Sequence, residues 1–279
     1  MAATEPLAVV RLDPADAAGG LALSTEAGWN QNEADWRLFL AHGVTFGVRD
    51  GGRLIATAAL LPHDAAEAWI GMVLVTAAWR RRGLATRLMA QCLGAARDAR
   101  LTASLDATPD GAAVYGRIGF APTLELRRLR LERPHGSLHS RSEAGPGAAA
   151  PGLEDFVARD RAALGCDRSR LLGALARRTG SRLVAAGSAA ALVRDGRTGR
   201  HLGPLFAPDA GGALALVRGI AADGGALVLD APAAHGEFVA ALVRDGWTVE
   251  RPFRRMRFGG PPPHPPEPPP FAIAGPEYG

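Results

Sequence analysis

The sequence contains no lysine. All 32 basic residues are arginine, a bias that a skewed genome composition accounts for without invoking function. Cysteine is nearly as scarce. Cys92 and Cys166 are the two present, and neither sits in a CxxC or other metal-ligand spacing, so a disulfide framework and a zinc site are both disfavoured. Aromatic residues make up 6% of the chain, so leucine, valine and alanine must fill any core. No apolar run reaches the roughly 18 residues that a membrane-spanning helix needs. The opening residues, MAATEPLAVVRLDP, lack the charged start and apolar stretch of a secretory signal. These absences predict a soluble, cytoplasmic protein without a bound metal.

What is present suffices for packed domains. The chain has 279 residues, 47% of them hydrophobic, and a net charge of +4, a length that suits one large domain or two ordinary ones. The positive balance favours an anionic ligand. It is spread along the chain with no aromatic-interleaved basic stripe, which argues against nucleic acid. Residues 7–12 alternate as a strand, and 15–42 hold two helices joined near GWNQNEADW. VTFGVRDGGRLIATAAL reads as a hairpin around Asp50, Gly51 and Gly52. A strand over 69–76, a loop and a helix follow, and in that helix Leu84, Leu88, Cys92 and Ala96 recur every four residues as one apolar stripe. A strand over 101–105, a helix over 110–118 and a last strand near Leu124 and Leu126 complete a mixed α/β pattern.

Residues 132–152, rich in Pro, Gly and Ser, read as a linker. A second domain is expected over 153–259, with helices near 153–164 and 168–178. Strands are expected near 182–186, 190–194 and 200–206, then a helix from Asp209, a strand at 226–229, a helix from His235 and a final strand. From Gly260 the run PPPHPPEPPP cannot build a core, and 260–279 is expected to be a disordered tail. There is an internal echo. Leu105-Asp106-Ala107 precedes a helix that stops at Gly119-Phe120, and Leu229-Asp230-Ala231 precedes one that stops at Gly246-Trp247. The strand–helix–strand unit is read as occurring twice, in two related folds in tandem.

The most informative stretch is residues 71–89, GMVLVTAAWRRRGLATRLM. A strand feeds a loop carrying Arg80-x-x-Gly83-x-Ala85, and an amphipathic helix begins at once. Free backbone N–H groups at a helix N-terminus, the positive end of its dipole, form a site for phosphate. Gly83 lets the backbone approach closely. The alternative is a solvated basic turn.

The spacing of Val75, Arg80, Gly83 and Ala85 resembles the pyrophosphate loop of the GCN5-related N-acetyltransferases, the GNAT superfamily, whose element order the first 131 residues also share. GWNQNEADW, LDATPDGAAVYGRIGF, DRAALGCDRSRLL, HLGPLFAPD and RPFRRMRFG together resemble a bacterial tandem subfamily. In it a standard N-terminal domain (here 1–131) precedes a divergent one (153–259). The resemblance implies acetyl-CoA as co-substrate, gripped through Arg80, Arg81, Arg82, Gly83, Leu84, Ala85 and Thr86. The pantetheine arm would lie along the backbone of Val73, Leu74 and Val75. GAAVYGRIGF resembles the family's Ala-x-x-Leu-Tyr-x-x-x-Gly-Phe segment and marks Tyr115 as donor to the departing thiolate. Thr108 stands where the family often has Asn.

Trp29, Asn30, Gln31, Glu33, Asp35 and Trp36 crowd aromatic and polar groups into a helix junction, and the acceptor is expected near Trp29, Asn30, Glu33 and Asp35. The alternative is that Trp29 and Trp36 pack in the core while Glu33 and Asp35 cap a helix. Glu33, Asp35, His63 and Glu67 are candidate bases, each weighed against a surface or capping role. The second domain has no phosphate loop, since PDAGGALALV follows its strand, and Leu242 takes the place of Tyr115. Arg168, His201 and Arg254 could contact an anionic part of the substrate, or the Arg and Asp residues could simply pair with one another.

The reading is an N-acetyltransferase that moves an acetyl group from acetyl-CoA to a primary amine, on a small molecule or a protein. Two alternatives are carried: a non-catalytic acetyl-CoA reader that engages a partner through its second domain, and a scaffold acting through the Pro-rich tail.

Overall fold

The computed structural model describes residues 7–132, 151–259 and 269–279. The chain divides into two compact units, Met1–Ala103 and Ser104–Gly279.

In the first unit four strands form an antiparallel array in chain order: β1 (Val9–Arg11), β2 (Val44–Asp50), β3 (Arg53–Pro62) and β4 (Glu67–Val75). Gly51 and Gly52, at φ 51° and 86°, close the β2–β3 hairpin with left-handed geometry that residues other than glycine adopt at a cost. Helices α1 (Ala17–Glu26) and α2 (Glu33–His42) pack together and on β3. Their contact explains a glycine, because a Cβ at Gly20 would lie 2.3 Å from the fully buried Trp36 ring. Helix α3 (Leu84–Asp98) packs on β3 and β4. Its expected stripe is the buried one: Leu84, Leu88, Cys92 and Ala96 all face the core. Each buried leucine there contributes about 1.5–3 kcal/mol.

The second unit holds most of β5 (Thr102–Ala107), then α4 (Pro109–Arg117), β6 (Phe120–Leu131), α5 (Leu153–Leu164) and α6 (Ser169–Ala176). It continues with β7 (Arg182–Ala186), β8 (Ala189–Arg194), β9 (Arg200–Phe206), α7 (Ala210–Ala222), β10 (Leu227–Pro232), α8 (Gly236–Arg244) and β11 (Thr248–Phe258). Its strands lie in the order β5-β11-β6-β10-β9-β8-β7, antiparallel except for β9 beside β10. Helices α7 and α8 cover a core of Leu202, Leu216, Leu229, Phe238 and Leu242.

The two echoed units have exchanged their last strands. β11, which ends the second repeat, pairs with β5 of the first, and β6, which ends the first, pairs with β10 of the second. β6 and β11 also pair with each other along their lengths. The two aspartates of the echo mark this exchange. Asp106 is bound at both oxygens by Arg255, at 3.0 Å each, and Asp230 by Arg128 at 2.9 and 2.8 Å. Each pairs opposite its arginine in strand register. This is why the compact units part at Ala103/Ser104, and not within the linker expected over 132–152. The exchange ties Ser104–Leu131 to the second repeat. Residues 133–150 of that linker lie outside the described residues.

The expected disordered tail requires a correction. Residues 260–268 lie outside the described residues, but 270–279 are all buried. Proline does prevent a run from extending a strand. The last residues, FAIAGPEYG, are apolar enough to dock, and composition averaged over the whole tail concealed that.

Candidate functional site

Within the first unit, a bulge shapes β4. Gly71 lies opposite Ala59 and Leu74 opposite Thr57, with a register shift between them. Met72, in the shifted stretch, adopts φ 55°, an uncommon angle for a side-chain-bearing residue, and its carbonyl accepts the Thr57 hydroxyl at 2.8 Å. Such bulges bend a strand and re-aim the residues beyond them. Here those residues are Val73, Leu74 and Val75, the stretch expected to carry the pantetheine arm. Leu74 is buried, and Val73 and Val75 are half-buried.

The loop after β4 is anchored by a residue that the sequence reading missed. Glu26, at the end of α1, accepts the Ala77 N–H at 2.7 Å and the Thr76 hydroxyl at 2.8 Å. These two bonds hold its carboxyl below the ordinary value. No local pattern marks Glu26, because its partners lie about 50 residues away in sequence. A short 3-10 turn, Ala77–Trp79, follows. Arg80 folds back to donate to the Val75 carbonyl at 3.2 Å, and Arg82 lies 4.6 Å over the Trp79 ring. Arg80, Arg81 and Arg82 are exposed.

Arg81 and Gly83 take left-handed angles, 61° and 75°. Gly83 is the residue at which α3 starts, and no atom lies within 4 Å of where its Cβ would stand. Its backbone angle therefore favours glycine, and the open space leaves the loop approachable. The first bond closed by the helix is Arg87 N–H to Gly83 carbonyl, 3.1 Å. The N–H groups of Leu84, Ala85 and Thr86 accordingly have no helical acceptor, at the positive end of a 15-residue helix. A pyrophosphate fits such a cradle.

The junction expected to receive the acceptor divides. Asp35 and Asn32 form a reciprocal capping box at the start of α2, with bonds of 2.8 and 3.2 Å. Glu33 pairs with Arg37 one turn on, at 2.6 Å. Both carboxylates therefore take the capping and surface roles that the sequence left open. Trp36 is core, its indole N–H donating to Ser24 at 3.1 Å. Trp29 is half-buried and Asn30 buried. Between them and the cap, Gln31 keeps a buried side-chain oxygen with no partner among the described residues, an acceptor free for a donor such as an amine N–H. Of the other candidate bases, His63 stacks on Trp69 at 6.0 Å.

In the second unit, Tyr115 occupies the last turn of α4, half-buried, its ring 6.1 Å from Phe120. Thr108 is the N-cap of α4 and accepts the Gly111 N–H at 3.3 Å, so its hydroxyl is engaged in the helix start. In the second repeat, the helix after β9 is capped by Asp209, which accepts the Gly212 N–H at 2.8 Å. A carboxylate stands where a phosphate grip would be needed. Leu242 is fully buried. Arg168 is bound to Asp160 at 2.6 and 3.0 Å, and Arg254 to Glu125 at 2.9 Å. The ion-pair alternative thus describes both arginines.

The comparisons agree with these repeats. The family described as "Acetyltransferase (GNAT) family" matches residues 19–120, and a second, described as "Acetyltransferase (GNAT) domain", matches 157–269. An uncharacterized N-acetyltransferase of Bacillus subtilis, YitH, is 26% identical over 247 residues, 86% of this chain and 87% of its own. A Pyrococcus horikoshii protein described as a candidate acetyltransferase has a similar fold, with a TM-score of 0.78 at 20% identity over 100% of this chain and 98% of the other. A tandem GNAT protein from the clavulanic acid biosynthesis pathway gives 0.58 at 17% identity, over 92% and 100%. With a GNAT family matched by each repeat, the chain belongs to the GNAT superfamily as a tandem member.

Proposed function

We propose that the protein is a cytoplasmic N-acetyltransferase that uses acetyl-CoA to acetylate a primary amine. The observation that carries this reading is the start of α3, where left-handed Gly83 leads into three N–H groups with no acceptor inside the helix, beside exposed arginines. The N–H groups of Leu84, Ala85 and Thr86 bind the pyrophosphate, and Arg80, Arg81 and Arg82 add charge around it. Glu26 fixes the strand end that leads into this loop. Backbone groups of Val73, Leu74 and Val75 align the pantetheine arm.

Acetyl-CoA supplies the acetyl group as a thioester. The amine nitrogen attacks the thioester carbon to form the new C–N bond, and the C–S bond breaks as the tetrahedral intermediate collapses. Tyr115 gives its phenolic proton to the leaving sulfur, and the proton lost by the amine nitrogen passes through water and restores the phenol. Trp29, Asn30 and Gln31 receive the acceptor, the Gln31 oxygen accepting an amine N–H. Alignment of the two substrates supplies much of the rate.

Isothermal titration with acetyl-CoA tests the loop. Micromolar binding to the intact protein, lost in an Arg82→Ala/Gly83→Glu variant, is the expected result, and no binding to the intact protein overturns the reading. In thiol-release assays with an amine panel, Tyr115→Phe should lower kcat by about 10²-fold or more and leave acetyl-CoA affinity unchanged. Unchanged turnover would remove Tyr115 from the mechanism.

A further inference from the structure

β9 and β10 bond side by side where Arg200 meets Leu227 and His201 meets Val228. Beyond that pair they part, although β9 runs on to Phe206 and β10 to Pro232. Residues 271–273 enter the gap and bond to both walls. Phe271 N–H donates to the Leu205 carbonyl at 2.8 Å, Leu205 N–H donates to the Ala272 carbonyl at 2.9 Å, and Ile273 N–H donates to the Asp230 carbonyl at 3.0 Å. Strand addition of this kind gives affinity through the backbone and specificity through side-chain pockets.

The pockets are built. The Phe271 ring stacks on His235 at 4.2 Å and meets Phe238 edge-on at 5.2 Å. Ile273 joins Leu126 and Phe253. Gly203 is cut to fit, because a Cβ there would stand 2.0 Å from the Ile273 carbonyl oxygen. Two buried arginines then read the rest of the segment. Arg194 donates to Glu277 at 3.2 Å and lies 5.2 Å over the Tyr278 ring. Arg168, locked by Asp160, donates to the Tyr278 carbonyl at 3.1 Å and to the Gly279 carbonyl.

The cleft also keeps a polar group that this segment does not use. His201 is 4% exposed, and its Nε2 is buried without a partner among the described residues. Coenzyme A is not the ligand this cleft suits, since Asp209 occupies the helix start where phosphate would have to bind.

We propose that the second repeat is a peptide-binding domain. Its β9/β10 gap takes an extended peptide patterned aromatic-x-aliphatic-x-x-x-acid-aromatic. Residues 269–279 are that ligand, bound in cis through the proline-rich 260–268 sequence and exchangeable with the same peptide supplied from outside. Acetyl transfer by the first repeat does not depend on this.

The test uses the full chain with a site-specific protease sequence substituted within 261–266. After cleavage, the segment should remain bound through gel filtration. A fluorescent peptide of residues 268–279 should then exchange into the protein, saturating in the micromolar range. The same peptide carrying Glu277→Ala should bind about tenfold more weakly, for loss of a charge-assisted bond, and one carrying Ile273→Asp should not bind. Three outcomes overturn the proposal: no exchange below the unfolding temperature, collapse of the circular dichroism spectrum on cleavage, or binding indifferent to both peptide changes. Acetyl-CoA titration of the cleaved protein reads the first repeat separately.

Discussion

Two cysteines show how far residue type alone predicts behaviour. Cys92 lies on the buried stripe of α3, with no exposed surface, and burial pushes its thiol up to about 12. The thiolate is the reactive species, so Cys92 should be inert in the native protein, whereas half-exposed Cys166 should react. A chromogenic disulfide reagent at pH 8 should therefore titrate one thiol quickly and the second only in denaturant. Two fast thiols would mean that α3 opens far more readily than its packing implies. The burial of Cys92 was legible from its four-residue spacing with Leu88 and Ala96. The site residues were less legible. Gly83 was marked by its place between strand and helix, and Gln31 by its place in the helix junction. Glu26 and Thr57 were not, nor was the burial that leaves the Gln31 oxygen unpartnered among the described residues. Their roles arise from partners distant in the chain or from burial, and no local pattern encodes either.

Elements were largely readable, because amphipathic periodicity and glycine punctuation are local. The helix expected over 153–164 is α5, and the hairpin turns at Gly51 and Gly52 as expected. Pairing was not readable. β6 and β11 are alike in length and both rich in arginine, and nothing in either states which neighbour it will take. The exchanged arrangement is fixed by two arginine–aspartate pairs whose aspartates are fully buried. A buried pair is weak evidence for net stability, but removing one partner leaves an unpaired charge. Asp230→Ala should lower unfolding stability by about 3–5 kcal/mol, read from urea denaturation. Arg128→Leu/Asp230→Leu, which removes both charges, should recover much of that loss. If the double variant is as unstable as the single one, the pair contributes packing shape and not charge balance.

Across the molecule, the second repeat couples its stability to pH through one histidine. Burial holds the His201 imidazole well below its ordinary value of 6.5, helped by the positive charges of Arg194 and Arg128. Native His201 therefore stays neutral where the unfolded chain takes up a proton. As pH falls below 6.5, the unfolded state binds more protons, and stability declines by about 1.4 kcal/mol per pH unit until the native pKa is reached. Above pH 7 this group contributes no slope. Melting temperatures measured from pH 7 to 5 should fall more steeply for the native sequence than for His201→Gln. Parallel curves would show that His201 already carries its proton inside the fold.

The sequence by itself determined the tandem α/β class, the glycine-marked loop before α3, the helix stripes and the loss of that loop in the second repeat. Each follows from periodicity or from a backbone angle that few residues can adopt, and such constraints act over one or two turns of chain. Tertiary structure alone decided the strand exchange between repeats, the anchoring of the loop by Glu26 and the burial of residues 270–279. Those outcomes depend on which surfaces meet, and a gap left by two diverging strands is a property of neither strand's sequence. FAIAGPEYG is ordinary as a string, and is buried because β9 and β10 stop pairing after His201 and Val228 and leave backbone groups at Leu205 and Asp230 that it can bond.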